Sequence, residues 1–335
     1  MEHLLSQLEK GPMSQEMAEV MMEEILTGRH SEKELEEWLD AMNPVERIPS
    51  SKELVGFVKA IRKHMALVSV DSGNYMDITG TGGDGKGSFN ISTTAAFLTA
   101  ASGMPVAKTV NRAISSQCGS ADVLETLGVN IMADGAKAAK AITDVGIGFF
   151  FGDNYYPQVP ELSDAMKGNH QTIIHLIRPL LNITNAEKML LGVFHPELIE
   201  PVIYAMRELG FSQALVVSAA DGMDEFSIQT KNYVGELMHG QIELYTVDPA
   251  DYGFEASELQ DMIQGDDPGL NAQVMRAMFF GGKGFRRDFA VLNAGAALYI
   301  GGAAGSIEMG ITMANEAIDS GRADLVLNLL ADFTN

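Results

Sequence analysis

The stretch that most restricts the fold is Asp77-Ile-Thr-Gly-Thr-Gly-Gly-Asp-Gly-Lys-Gly-Ser-Phe-Asn-Ile-Ser-Thr93, where Gly80, Gly82, Gly83, Gly85 and Gly87 fall within eight residues. Glycine alone takes positive φ cheaply and lets a ligand touch the backbone. A short apolar run over 74–78 reads as a strand entering this turn. Ser88-Phe-Asn-Ile-Ser-Thr93 then opens an Ala- and Leu-rich segment that reads as a helix ending near Ala101. Strand, glycine loop and hydroxyl-rich helix start is an arrangement that binds phosphate, because free N–H groups and the helix dipole both face the anion. The spacing fits neither the dinucleotide Gly-x-Gly-x-x-Gly fingerprint nor the Gly-x4-Gly-Lys-Ser/Thr loop. A plain flexible turn would not gather Asp84, Asn90, Ser92 and Thr93 around itself. The stretch is read as a phosphate site.

The chain around this loop has 335 residues, 46% of them hydrophobic, which is enough for a large core and suggests one big domain with a smaller one. Its 45 acidic and 23 basic residues leave a net charge of −22. That balance argues against general nucleic-acid binding and against anionic membrane surfaces. Cys118 is the single cysteine; it excludes an internal disulfide framework, and a reducing cytoplasm is the expected compartment. The start, residues 1–10, is mildly acidic and amphipathic and does not read as a signal peptide. Residues 289–307 carry no formal charge, but Asn293, Ser306, Gly295, Gly301, Gly302 and Gly305 make them too polar and too broken for a membrane span. They read as a buried helix running into a Gly-rich turn.

Residues 1–67 read as a small helical module. Met17, Val20, Met21 and Ile25 keep a helical rhythm that stops at Gly28, and Ser31 and Glu34 have capping-box spacing ahead of Leu35, Leu39 and Met42. Ser50 and Ser51 precede a third helix with Leu54, Phe57, Val58 and Ile61. Helices from about 170–185 are expected to join this module. Residues 70–335 alternate short apolar runs with Ala-rich helices. Candidate strands are 74–78, 104–108, 146–151, 190–194 and 213–218, followed by irregular strands or a ribbon between Ser227 and Val247, and by four helices from Ala256 to Asn335. The expected class is α/β: a small all-helical N-terminal domain plus a larger α/β domain with a central mixed sheet flanked by helices.

Two further stretches carry chemistry. Lys108-Thr-Val-Asn-Arg112, with Ser115, Ser116 and Gly119-Ser120-Ala-Asp122 after it, follows a strand and combines cations, an amide and three serines. Lys108 and Arg112 can balance an anion and the serines can donate to its oxygens; the plainer reading is a capped helix after a solvated polar loop. Cys118 has no histidine near it in sequence and reads as a packing residue. Asp221-Gly-Met-Asp224-Glu225 begins just past an apolar strand. Adjacent carboxylates at a strand's carboxyl end are the usual hard-oxygen ligands for Mg²⁺ shared with substrate phosphates, against the plainer reading of an acidic surface turn.

Together these stretches resemble the anthranilate phosphoribosyltransferase family, in a fold group shared with pyrimidine nucleoside phosphorylases. The resemblance covers almost the whole chain. It rests on Gly80-Thr-Gly-Gly-Asp84, Asn90-Ile-Ser-Thr93, Asn111-Arg with Ser115-Ser116, Gly119-Ser-Ala-Asp-Val-Leu-Glu125, Asp224-Glu225 and Arg287-Asp-Phe-Ala-Val-Leu-Asn-Ala294. It implies a homodimer formed by the helical domain, with phosphoribosyl pyrophosphate and Mg²⁺ as ligands. Gly80, Gly83, Asp84 and Ser88 would line pyrophosphate and ribose, and Asn90, Ser92, Thr93, Lys108, Ser116 and Ser120 would hold phosphates. Ser92 and Glu225 would bind one Mg²⁺, and Asp224 with Glu225 a second. The reaction the resemblance implies is transfer of phosphoribose to an aromatic or heterocyclic nitrogen. An alternative is a catalytically silent homologue that binds a phosphorylated nucleotide and acts through a partner; the intact acidic pair favours the enzyme.

The acceptor half departs from the family pattern. Where the family has Lys-His-Gly-Asn-Arg, this chain has Lys108-Thr109-Val110-Asn111-Arg112, and Tyr156-Pro157 stands in place of a His-Pro. Ala165 takes the place of the arginine that contacts the anthranilate carboxylate, and Arg178-Pro179-Leu180 that of Gly-Pro-Leu. Asn111, Thr109 and Tyr156 are the candidate acceptor contacts. Anthranilate is therefore expected to be a poor acceptor unless Arg178 or Lys167 supplies the missing cation.

Overall fold

The computed structural model describes residues 2–8, 10–71, 73–112, 118–156, 162, 171–256 and 267–335. Seven strands form one sheet: β1 (Met76–Gly80), β2 (Val106–Val110), β3 (Ile147–Phe151), β4 (Lys188–Gly192), β5 (Gln213–Ala219), β6 (Asn232–Met238) and β7 (Gln241–Val247). Their order is β3-β2-β1-β4-β5-β6-β7. Strands β1 to β5 are parallel, and β6 and β7 add an antiparallel ribbon at one edge. The parallel strands are buried on both faces, which is why they read as apolar runs rather than as alternation.

One face is covered by α5 (Ile91–Ala101), α11 (Phe285–Gly301), α12 (Ile307–Asp319) and α13 (Arg322–Thr334), whose Ala-rich surfaces share one core with Ile78, Val106 and Leu190. The uncharged stretch after Phe289 is indeed a buried helix, and it stops at Gly302, where φ is +80°. Among the described residues no helix is long and apolar enough to cross a membrane. Completing the helices on this side are α6 (Ser120–Thr126) and α10 (Pro268–Phe279), whereas Ala138 and Ile142 of α7 (Gly135–Asp144) pack with Ala107 and Phe150 on the other face of the outer strands.

The opposite face carries the helical layer: α1 (Glu2–Leu8), α2 (Gln15–Leu26), α3 (Glu32–Ala41), α4 (Ser51–Arg62), α8 (Ile173–Leu180) and α9 (Ile199–Glu208). The Ser31–Glu34 capping box forms as its spacing predicts, and Ser50 with Glu53 makes a second one. Glu53 is wholly buried, yet it accepts from Met13 N–H at 3.0 Å and pairs with Arg47 at 2.6 Å, so its charge is compensated. Leu54 and Phe57 of α4 and Ile173 and Leu176 of α8 belong to one apolar cluster that continues into Met189 and Val216 of the sheet.

Strand order decides where a ligand can enter. After β1 the chain winds outward through β2 and β3, then returns to lay β4 against the other side of β1. The carboxyl ends of β1 and β4 thus form a topological switch point, the crevice where open α/β sheets bind ligands. Gly80 and Gly192 are paired at these two ends.

Candidate active site

A cleft of about 510 Å³ opens at this switch point, between the glycine loop, the ends of β2 and β3, α8 and the turn after β5. The glycine loop takes the conformation that its composition requires: φ is +68° at Gly82, +77° at Gly83, +68° at Gly85 and +60° at Gly87. Asn90 ends the loop as the N-cap of α5, without any side-chain cap. The first-turn N–H groups of α5 are therefore left for other partners.

One of these partners is Glu225, whose Oε1 accepts from Ser92 N–H at 3.2 Å. Next to it, Asp224 Oδ2 accepts from Gly82 N–H at 2.6 Å, so the acidic turn is tied directly to the glycine loop. This closeness depends on the absence of side chains at Gly80 and Gly192. A Cβ on Gly80 would overlap the Asp224 carboxylate, and one on Gly192 would overlap the Asp224 backbone oxygen. The turn is also pinned from behind by Asn293 of α11. Its Oδ1 accepts from Phe226 N–H at 3.0 Å and its Nδ2 donates to Phe226 O at 2.8 Å. Asn293 is thus a positioning residue, and only its place in the Arg287–Ala294 motif signalled it in the sequence.

Like charges crowd this corner. Loss of water around Asp84, Asp224 and Glu225 raises all three carboxyl groups, Glu225 to about 8, and mutual repulsion adds to the rise at Asp224. Asp84 Oδ2 is buried without a hydrogen-bond partner. Lys108, buried between β1 and α5, donates to Ile78 O and, at 3.3 Å, to Ser92 Oγ. Burial lowers its ammonium, while Asp77, Glu225 and Asp224 hold it up. Asp77 itself, below the loop on β1, is raised by burial to about 6 and keeps Oδ1 unpartnered. The donor set of carboxylates plus the Ser92 hydroxyl is all hard oxygen, which fits Mg²⁺. Among the described residues no three acidic, histidine or cysteine side chains form a ready-made metal cage. That agrees with the habit of Mg²⁺ to take one or two carboxylates and complete its shell with water and substrate phosphates.

Gly80, Gly83, Asp84, Ser88, Asn90, Ser92, Lys108, Ser120, Asp224 and Glu225 line this one cleft, as do Thr109, Asn111 and Tyr156. Thr93 does not: its side chain is wholly buried inside the α/β layer and its hydroxyl has no partner. Adjacent helical positions point about 100° apart, so only Ser92 of this pair turns toward the cleft. Arg112 also lines the cleft, with its guanidinium paired to Asp122 at 2.9 Å and Glu125 at 2.8 Å. Ser115, Ser116, Pro157, Ala165 and Lys167 lie outside the described residues.

Helix α8 contributes two residues whose contact with the cleft follows from the fold. His175 Nδ1 accepts from Thr172 N–H at 3.1 Å, which leaves the ring hydrogen on Nε2; that atom is buried and unpartnered. Burial lowers this imidazole to about 4. Arg178 stacks 5.2 Å from the centre of the Tyr156 ring and lines the same cleft. Of the two residues expected as a replacement cation, Arg178 thus lines the cleft, and Lys167 lies outside the described residues.

The family model for the glycosyl transferase family, a/b domain, matches residues 72–324. The chain belongs to this family. An anthranilate phosphoribosyltransferase of Methanobrevibacter smithii is 38% identical over 315 residues, covering 94% of this chain and 93% of that protein. One from Petrotoga mobilis is 36% identical, over 99% of this chain and 96% of its own length. The crystal structure of the Thermus thermophilus anthranilate phosphoribosyltransferase superposes with a TM-score of 0.89 at 33% identity, covering 100% of this chain and 99% of that one. A Saccharomyces cerevisiae anthranilate phosphoribosyltransferase in complex with phosphoribosyl pyrophosphate and Mg shares the fold at 22% identity, with a TM-score of 0.82 over 96% of this chain and 92% of that one. This glycosyltransferase-family chain is accordingly an enzyme of the phosphoribosyl-transfer class.

Proposed function

We propose that the enzyme transfers phosphoribose from phosphoribosyl pyrophosphate, with Mg²⁺, to the nitrogen of a small aromatic acceptor, and that it works as a homodimer built on its helical layer. The observation that carries this reading is the tie between the glycine loop and the acidic pair, Gly82 N–H to Asp224 and Ser92 N–H to Glu225, at the switch point of the sheet. Asp224, Glu225 and the Ser92 hydroxyl are the groups suited to Mg²⁺, which when bound neutralises charge on the departing pyrophosphate.

The chain's own groups would do the rest. Loop N–H groups hold phosphate oxygens, and Lys108 adds a buried cation next to them. These donors are fixed before the substrate arrives, so they need no reorganisation as charge moves onto the leaving group. On the acceptor side, Asn111 Oδ1 is buried without a partner and can accept from an amine N–H, aiming its lone pair at C1 of the ribose. The C1–oxygen bond to pyrophosphate breaks as the nitrogen–C1 bond forms, and orientation supplies much of the rate. Anthranilate, named for the relatives, is the first acceptor to try. An assay of pyrophosphate release with phosphoribosyl pyrophosphate, Mg²⁺ and a panel of aromatic amines tests the reading. Turnover that needs both Mg²⁺ and an amine is expected; a wild-type enzyme that fails to bind the donor with Mg²⁺ would sink it.

A further inference from the structure

The cleft has two electrically opposite ends. Its acidic end lies at β1 and β4, where Asp84, Asp224 and Glu225 crowd together. The other end lies past β2 and β3, two strands along the sheet order; of its two guanidinium groups, that of Arg112 is held by Asp122 and Glu125, and the other is Arg178. The Arg178 side chain is only 14% exposed. It is braced on both sides: Nη2 reaches Asp153 Oδ1 at 3.4 Å, and the guanidinium carbon lies 5.2 Å from the Tyr156 ring centre. Tyr156 keeps its proton, since burial raises its phenol, so the platform is neutral. Despite this bracing Nη1 is buried and has no hydrogen-bond partner among the described residues.

A buried guanidinium N–H without an acceptor is costly, and more so than a neutral donor, because charged groups lose more on leaving water. An orphan acceptor stands across the same platform. Asn111 Oδ1 is also buried and has no partner among the described residues. A Cβ placed on Gly152 would lie 2.5 Å from that oxygen and 2.7 Å from Tyr156 Cε2, which puts the amide against the ring that Arg178 stacks on. One unpaired cationic donor and one unpaired neutral acceptor around an aromatic ring complement a ligand with an anionic group and an N–H.

We propose that Arg178 is the specificity-determining residue of the acceptor half: its Nη1 binds the anionic group, a carboxylate, of an aromatic amine whose N–H is accepted by Asn111, with Tyr156 as the platform. This rests on the phosphoribosyltransferase reading for what the acceptor is. The arrangement places the acid of the acceptor at the β3 end of the cleft and its nitrogen toward β1, where the donor's ribose would lie.

Titration calorimetry on the full-length protein tests it, with anthranilate and its uncharged amide, anthranilamide, as probes. Both are titrated with and without Mg²⁺ and pyrophosphate, which fill the donor half without permitting turnover. The wild type is expected to bind anthranilate at least about tenfold more tightly than the amide. Arg178→Gln should weaken anthranilate by roughly ten- to a hundredfold, the value of a charge-assisted contact, and leave the amide unchanged, so that the preference disappears. Arg178→Lys should keep part of it, because a point charge without the planar fork remains. Affinity for phosphoribosyl pyrophosphate with Mg²⁺ should be the same in all three proteins. An acid-over-amide preference that survives Arg178→Gln, an amide that binds the wild type as tightly as the acid, or a loss confined to the donor would each overturn the assignment. Failure of the wild type to bind the donor would instead refute the enzyme reading, and the acid–amide comparison without pyrophosphate would still report on Arg178.

Discussion

The backbone oxygen of Asp224 occupies the place where a Cβ on Gly192 would stand. Two residues far apart in the chain are thereby locked: the end of β4 stays bare so that the acidic turn can cross it. Gly192→Ala should force that turn outward. The fold is expected to lose about 1–3 kcal/mol, the usual cost of overpacking a well-packed site. Donor affinity should fall by more than the stability loss explains, because Asp224 and Glu225 move together. Urea unfolding and donor titration on the same variant measure both. Normal donor binding in Gly192→Ala would mean that the strand end does not position the acidic pair.

The acidic pair itself should show a trade between stability and function. Asp224→Asn and Glu225→Gln keep an oxygen to accept from Gly82 N–H and Ser92 N–H, and they remove like charge from a desolvated corner. Each is expected to leave the metal-free protein as stable as the wild type or more so, while Mg²⁺-dependent donor binding falls by at least about tenfold. Thermal melts without metal, paired with calorimetry of donor plus Mg²⁺, decide it. Unchanged Mg²⁺-dependent affinity in both variants would place the metal elsewhere.

How much of this was legible beforehand depends on how local each signal is. The glycine loop and the acidic pair declare themselves through composition, and the alternation of apolar runs with Ala-rich helices carries the α/β class. Strand limits slipped where polar residues belong to strands. Lys188 opens β4, yet its ammonium is absorbed by Asn74 Oδ1 at 2.8 Å and Gly301 O at 2.6 Å, so an apolar count starts too late at 190. Likewise β2 begins at Val106, because Pro105 before it has no N–H to give the ladder. His175 has no local pattern at all, and Asp77 and Asn293 stand inside motifs that give them no role of their own. They matter because of what the sheet order and α8 and α11 bring beside them, and Arg178 could be named from sequence only as a spare cation.

Of the left-handed loop glycines Gly82, Gly83 and Gly85, Gly83 is the one with other side chains close to its Cα. Its φ of +77° is left-handed, a Cβ there would meet His175 Cδ2 at 3.4 Å, and its carbonyl accepts from Gln171 Nε2 at 2.8 Å. Gly83→Val adds a β-branched side chain in a region that such residues avoid. The backbone cost should be about 1–2 kcal/mol, whereas donor binding should be nearly abolished as the loop N–H groups turn away. Gly85→Ala is the control, with a similar φ of +68° and open space around it. Equal donor affinity in the two variants would remove Gly83 from the phosphate site.

The proposed homodimer has a direct check. Val20 of α2 and Val45 after α3 are 50% and 60% exposed on the helical layer, and apolar side chains there gain by being covered. Light scattering should report about twice the chain mass of 36.1 kDa at micromolar concentration. A single-chain mass at that concentration would contradict the assembly without touching the chemistry of the cleft.

His175 makes the protein's stability depend on pH in a particular direction. Burial lowers its folded-state value from 6.5 to about 4, and the Arg178 charge contributes further. A base whose folded value is depressed contributes stability that is fully present above the unfolded value and is lost as pH falls through the folded one. The window is therefore pH 6.5 down to about 4. A shift of that size corresponds to about 2–3 kcal/mol between pH 7.5 and pH 4.5. His175→Asn removes the titration and leaves an amide that can still accept from Thr172 N–H. Urea unfolding at the two pH values should show the wild type losing about 2–3 kcal/mol more than His175→Asn on acidification. Parallel losses would mean that His175 takes up its proton in the folded protein as readily as in the unfolded chain, and the neutral Nε2–H donor beside Gly83 would have to be given up.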